Sequence, residues 1–124
     1  MQIIIPISIG ELWDKYTILL IKKDKITDTD KLKHVNIEIQ YFNNYINKFS
    51  YNTDNLFIKL KECNIKLWEI EDNIRIKEKN KKFDSEFIQL ARLVYLTNDE
   101  RYNYKKQINL KYSSTINEVK SYID

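Results

Sequence analysis

FIQLARLVYLTNDERYNYKKQIN, residues 87–109, is the stretch on which the fold turns, because it begins as an apolar helix and then sets polar groups on the same stripe. Helical positions spaced alternately by about four and three share a face. Phe87, Ala91, Val94, Asn98, Arg101, Lys105 and Ile108 follow that spacing. The first three and the last suit a core, whereas Asn98, Arg101 and Lys105 fit there only with partners, since unpaired charge in an apolar setting is costly. The residues permit two outcomes. Thr97 with Glu100 reads as a capping box, and a helix restarted there turns Arg101 to solvent; a continuous helix instead makes these groups line a polar site.

Working backwards, two seams are spaced three and four without a fault: Leu32, Val35, Ile39, Phe42, Ile46 and Phe49, then Leu56, Leu60, Cys63, Leu67, Ile70 and Ile74. The short connection between them predicts a long antiparallel hairpin of helices 2 and 3 with coiled-coil-like packing. Before it, Ser8 and Glu11 form a capping box and Ile7 staples onto Leu12, opening helix 1. That helix carries Leu12, Tyr16, Leu19 and Ile26, broadened by Ile9, Trp13 and Leu20, a face wide enough to lie in a groove between other helices. Residues 2–6 are β-branched and end in Pro6, which suits an extended arm. With no second strand in the chain, its backbone groups meet solvent, the helices or the same arm of another copy.

The expected architecture is all-α: a helical bundle in one domain, 1–124, with an arm at 1–7, helices at 8–25, 30–49, 54–78 and 85–111, and a short closing helix at 115–123. One Gly and one Pro in 124 residues are too few for the turns of a sandwich or barrel. No long apolar run marks a membrane span and no basic leader marks secretion, so the expectation is a cytoplasmic protein. A net charge of +3 with Glu and Asp interleaved among Lys falls short of a nucleic-acid footprint; the cluster Tyr102, Tyr104, Lys105 and Lys106 is a weak exception.

Chemistry is narrowed mainly by absences. Lone His34 offers no di-iron or zinc set, Gly10 alone makes no phosphate loop, and Cys63 and Ser8 are read as packing and cap, so no cofactor or metal is expected. Eighteen of the 21 basic residues are Lys. Against that background Arg75, Arg92 and Arg101 stand out as positions where a planar, multi-donor guanidinium is wanted, although packing and ordinary ion pairs also use Arg. Helix 3 carries a second row, Asn64, Trp68, Glu71, Arg75 and Glu78, readable either as i,i+4 ion pairs beside a core-edge Trp or as an aromatic wall with charges. Glu11 and Lys15 similarly read as a surface pair or as part of a polar face.

Four segments, ISIGELWDKYTILLIKK (7–23), LWEIEDNIRIKE (67–78), the 87–109 stretch and EVKSY (118–122), together resemble a family of small bacterial and viral domains with no assigned activity. The likeness rests on Gly10, Glu11, Asp14 and Lys15; Trp68, Glu71, Asp72 and Arg75; Ala91, Arg92 and Tyr95; and Asn98, Arg101, Lys105 and Asn109, and spans most of the chain outside helix 2. The resemblance implies a bacterial or virus-infected host cell, and relatives near glycosyltransferase and surface-polysaccharide genes imply carbohydrate biosynthesis by context.

The leading expectation is a binding or accessory module whose polar face, Glu11, Lys15, Trp68, Glu71, Arg75, Arg92, Asn98, Arg101 and Lys105, takes an anionic ligand such as a phosphate or sugar nucleotide, or a protein partner. One alternative is a structural or oligomerising protein whose charges close salt bridges within the bundle or across a homodimer. Another is an electrostatic enzyme resembling helical chorismate mutases, by fold analogy alone.

Overall fold

The structure, a computed structural model, describes residues 1–123. Each long helix begins at a side-chain cap. Ser8 accepts from the Glu11 N–H to open α1 (Ile9–Lys25), and Asp28 from Lys31 to open α2 (Thr29–Ile46). Asp54 accepts from Leu56 to open α3 (Asn55–Lys79), and Asp84 from Phe87 to open α4 (Ser85–Lys111). A single 3-10 turn, Tyr51–Thr53, precedes α3. These caps satisfy N–H groups that no helical carbonyl can reach. The Ser8 half of the expected box forms; the Glu11 carboxylate turns instead to Lys105 and Lys15.

The chain is an all-α bundle, and α1 is its centre. It packs against α2, α3 and α4, while α3 packs along α4. The hairpin expected of helices 2 and 3 is therefore corrected: the antiparallel pairs are α1 with α2 and α3 with α4. A seam spacing tells which face of a helix is apolar, not which helix will cover it. Here the broad face of α1 takes the α2 seam, burying Val35 and Ile46, and lies between α2 and α3. Trp13, fully buried, holds the join: the rings of Phe49, Phe57 and Tyr112 surround its indole with centroids 5.9, 5.8 and 5.0 Å away.

α4 runs unbroken through Thr97, which is buried rather than capping. Continuity keeps Arg101 and Lys105 in phase with carboxylates on α1, which removes the cost of burying them. The Cys63 thiol donates to the Thr97 carbonyl at 3.4 Å, fastening α3 to the same point.

The closing helix expected at 115–123 does not form. Ser113, at φ 55°, ends α4, and the Ser114 N–H bonds back to the Asn109 carbonyl at 2.9 Å. From there residues 115–123 run back beside α4 as a strap without regular structure. Glu118 and Lys120, two apart, both reach α4, an alternation natural to extended chain and foreign to a helix.

At 27 residues α4 is about 40 Å long and α1, at 17, about 25 Å. Among the described residues none of α3 after Ile70 and none of α4 before Thr97 is buried. The outer parts of α3 and α4 form a two-helix projection, tied at its tip by Lys77 to Asp84 and Glu86 at 2.9 and 3.0 Å. Among the described residues no helix is long and apolar enough to cross a membrane.

Candidate functional site

Asp14, placed mid-way along α1 among Trp13, Tyr16 and Thr17, has no exposed surface. A carboxylate so buried persists only if its oxygens are satisfied. Oδ1 accepts from Arg101 Nε at 2.8 Å and from Asn64 Nδ2 at 2.9 Å; Oδ2 accepts from Arg101 Nη2 at 2.5 Å and lies 3.9 Å from Lys105 Nζ. The Arg101 contact is the two-pronged guanidinium–carboxylate pair that a lysine cannot make. Thr17 Oγ1 accepts from the same Asn64 amide at 2.8 Å and donates to the Asp14 carbonyl at 2.7 Å. One acid on α1 thereby joins α3 and α4.

One turn further along α4, Lys105 is held between Glu11 at 2.7 Å and Glu118 at 2.8 Å, with its side chain only 8% exposed. Burial works against its charge, but the hydrogen bonds to Glu11 and Glu118 prevail and its pKa rises above the ordinary lysine value. For Arg101 the Asp14 hydrogen bonds act first, outweigh burial and also raise the pKa. With Lys15 on the rim 3.5 Å from Glu11, three carboxylates stand against three cations. The cluster carries no surplus positive charge.

Gly10 makes this crossing close enough. A Cβ there would lie 2.5 Å from the Lys105 carbonyl oxygen and 3.0 Å from Asn109 Oδ1. The free N–H groups at the start of α1 are met by the far end of α4: Gly10 donates to Asn109 Oδ1 at 2.6 Å and Ile9 to Ser114 Oγ at 3.1 Å.

Beside this cluster, between α4 and the strap, lies a cleft of about 880 Å³. Tyr95, Asn98, Arg101 and Tyr102 form one wall, and residues 118–123 the other. Its charges are paired internally: Arg101 with Asp14, Glu118 with Lys105, and Lys120 with Asp99 at 2.7 Å. Lys120 Nζ also sits 5.8 Å from the Tyr102 ring centre and 5.7 Å from that of Tyr122. Arg101 Nη1 donates to Asn98 Oδ1 at 3.3 Å. Of the five guanidinium N–H groups, three are thus engaged and two have no partner among the described residues.

Glu11, Lys15, Asn98, Arg101 and Lys105 come together here as one place in the fold. Trp68, Glu71, Arg75 and Arg92 do not join them, which corrects the expected continuous face. Trp68 is half-buried on α3 and absent from the cleft wall; Arg75 pairs with Glu71 at 3.1 Å on exposed surface; Arg92 is exposed with no ion pair among the described residues. Those charges stand on helix faces that α1 does not cover. Asp14, Asn64, Glu118 and Lys120 were not among the expected ligand-binding residues, although Asp14 stands in a resembling motif, Asn64 in the second row of helix 3, and Glu118 and Lys120 in the EVKSY segment. Asp14 carried a legible signal, an acid between Trp13 and Tyr16 on a helix whose partner helix buries cations; the strap residues carried no spacing signal beyond their place in the resembling EVKSY segment.

Compared with protein-family models, curated proteins and solved structures, the chain has no match. The chemistry of the cleft itself is what bears on function.

Proposed function

We propose that this chain is a non-catalytic binding module whose cleft between α4 and the strap takes an uncharged, hydroxyl-rich ligand of saccharide type. The observation that carries the reading is the internal pairing of every charged side chain on the cleft walls. A free phosphate gains no unmatched cation there and must break an ion pair to bind. The sugar of a sugar nucleotide therefore fits the walls better than its diphosphate. Vicinal hydroxyls both donate and accept, matching the spare Arg101 N–H groups and the second oxygens of Asp99 and Glu118. Exposed Tyr95 and Tyr122 offer ring faces to the C–H side of such a ligand. The resemblance to domains whose relatives lie near glycosyltransferase genes points to the same class.

The structural reading is favoured by a separate observation, the complete neutralisation of Arg101 and Lys105 by Asp14, Glu11 and Glu118. In that case the cluster is a lock and nothing more. A mutase-like enzyme needs a clamp of free cations, and these cations are occupied.

Ligand-observed NMR separates the readings, using methyl glycosides and neutral disaccharides beside inorganic phosphate and a nucleoside diphosphate. We expect saturation transfer to at least one neutral saccharide, lost in Tyr95→Ala with the melting temperature unchanged, and none to phosphate. Binding of phosphate but of no neutral saccharide would restore the anion receptor. No binding by either class leaves the structural lock.

A further inference from the structure

The strap is fastened to the bundle unevenly along its length. At its root the Ser114 N–H donates to the Asn109 carbonyl at 2.9 Å, while Ser114 Oγ accepts from the Ile9 N–H at 3.1 Å and donates to the Ile116 carbonyl at 2.6 Å. Asn117 Nδ2 returns to the Ser114 carbonyl at 3.2 Å. Glu118 is then held twice, its carboxylate by Lys105 at 2.8 Å and its backbone carbonyl by the Tyr102 hydroxyl at 3.3 Å.

Beyond Glu118 the hold is one side chain. Among the described residues Lys120 alone of residues 119–123 reaches the bundle by an ion pair or hydrogen bond. Its ammonium meets Asp99 at 2.7 Å and stands 5.8 Å from the Tyr102 ring centre, two residues on one face of α4. Val119 and Tyr122 are 85 and 79% exposed, so packing adds little. A segment with few buried contacts and no backbone ladder opens more readily than the helices beside it. This same segment is the outer wall of the cleft and carries Tyr122.

We propose that residues 119–123 are a lid over the cleft, hinged at Glu118 and latched by Lys120 onto Asp99 and Tyr102. The inference rests on the cleft being the binding site and adds how that site opens and closes. The two ion pairs of the strap divide the work by exposure. Lys105, with its side chain 8% exposed, is shielded from counter-ions and keeps the hinge in place. The side chains of Lys120 and Asp99 are 20 and 55% exposed, and salt screens such a pair far more than a buried one. Released, the lid takes Tyr122 out of the wall and widens the mouth. A ligand that touches Tyr122 binds the closed form better and shifts the population towards it.

A nitroxide on Ser121→Cys tests this, since Ser121 lines the cleft and the buried Cys63 stays unlabelled. At low salt it should broaden the amide signals of Asn98 to Tyr102 on the opposite wall. With Lys120→Gln, or in about 0.5 M salt, that broadening should fall about two-fold or more. Backbone order parameters at residues 115–118 should stay as in the wild type, and a methyl glycoside that binds should restore the broadening in salt. Broadening that is absent from the start, or that survives both Lys120→Gln and salt, would overturn the lid whether or not saccharides bind. Order lost equally from residue 115 onward would overturn the hinge at Glu118. A latch that responds as expected while no saccharide binds would leave the lid standing and remove the saccharide reading.

Discussion

The two halves of α4 are buried in the reverse of their hydropathy. Residues 85–96 hold the apolar run, yet Phe87 and Val94 are only half-buried and Ala91, Tyr95 and Leu96 are exposed. Residues 97–111 hold the charges, and there Thr97, Lys105, Ile108 and Asn109 are buried. What differs is cover: α1 lies over the second half with an acid at the right place, whereas the first half has only the outer part of α3 beside it. Burial on a long helix is set by which neighbours exist to receive it.

The sharpest way to break that contrast is Asp14→Ala. It leaves Arg101 and Asn64 facing an empty buried site, and removing one partner of a buried pair costs about 3–5 kcal/mol. Equilibrium denaturation reads it. Gly10→Ala comes next, since the new methyl meets the Lys105 backbone rather than a flexible chain end; overpacking of this kind costs about 1–3 kcal/mol. A loss below that range would show that α1 can slide on α4.

Asp54, the α3 cap, extends the contrast to pH. Burial alone would raise its pKa, but hydrogen bonds from Lys111, Tyr112 and the Leu56 N–H outweigh it and hold the carboxyl below its usual value. A group depressed on folding contributes stability above its unfolded pKa and loses it as pH falls through the folded one. The wild type should therefore lose stability below about pH 4 more steeply than Asp54→Asn, followed by acid titration of the unfolding midpoint. Cys63 gives a reactivity test. Burial, reinforced by the Glu100 charge, pushes its thiol up to about 11, so thiol reagents at neutral pH should label it only as the chain unfolds. Smallest of all, Arg92→Ala on the uncovered half should stay within about 0.5 kcal/mol of wild type. A larger loss there would mean that a partner or a second copy covers the projection.

Helix positions were readable because caps and apolar spacing are local: Ser8 and both seams describe their own segments without reference to the rest of the chain. Pairing was not readable, since the α2 and α3 seams are alike in period and either could have matched the other. The decision lay with α1, whose breadth around Trp13 lets it stand between them. At the site, Asn98, Arg101 and Lys105 announced themselves by charge on an apolar stripe. Glu118 and Lys120 did not, because a two-residue alternation within a short polar tail has no distinctive pattern. Arg75 and Arg92 were singled out by rarity, which says nothing about where a helix face points.

The most direct measurement of the account is a double-mutant cycle on Asp14→Asn and Arg101→Met, read by denaturant unfolding. If Arg101 exists to hold the buried acid, the two losses overlap and the coupling is about 2–3 kcal/mol. Additive losses with no coupling would mean that Arg101 is committed elsewhere, and the internal lock would be wrong.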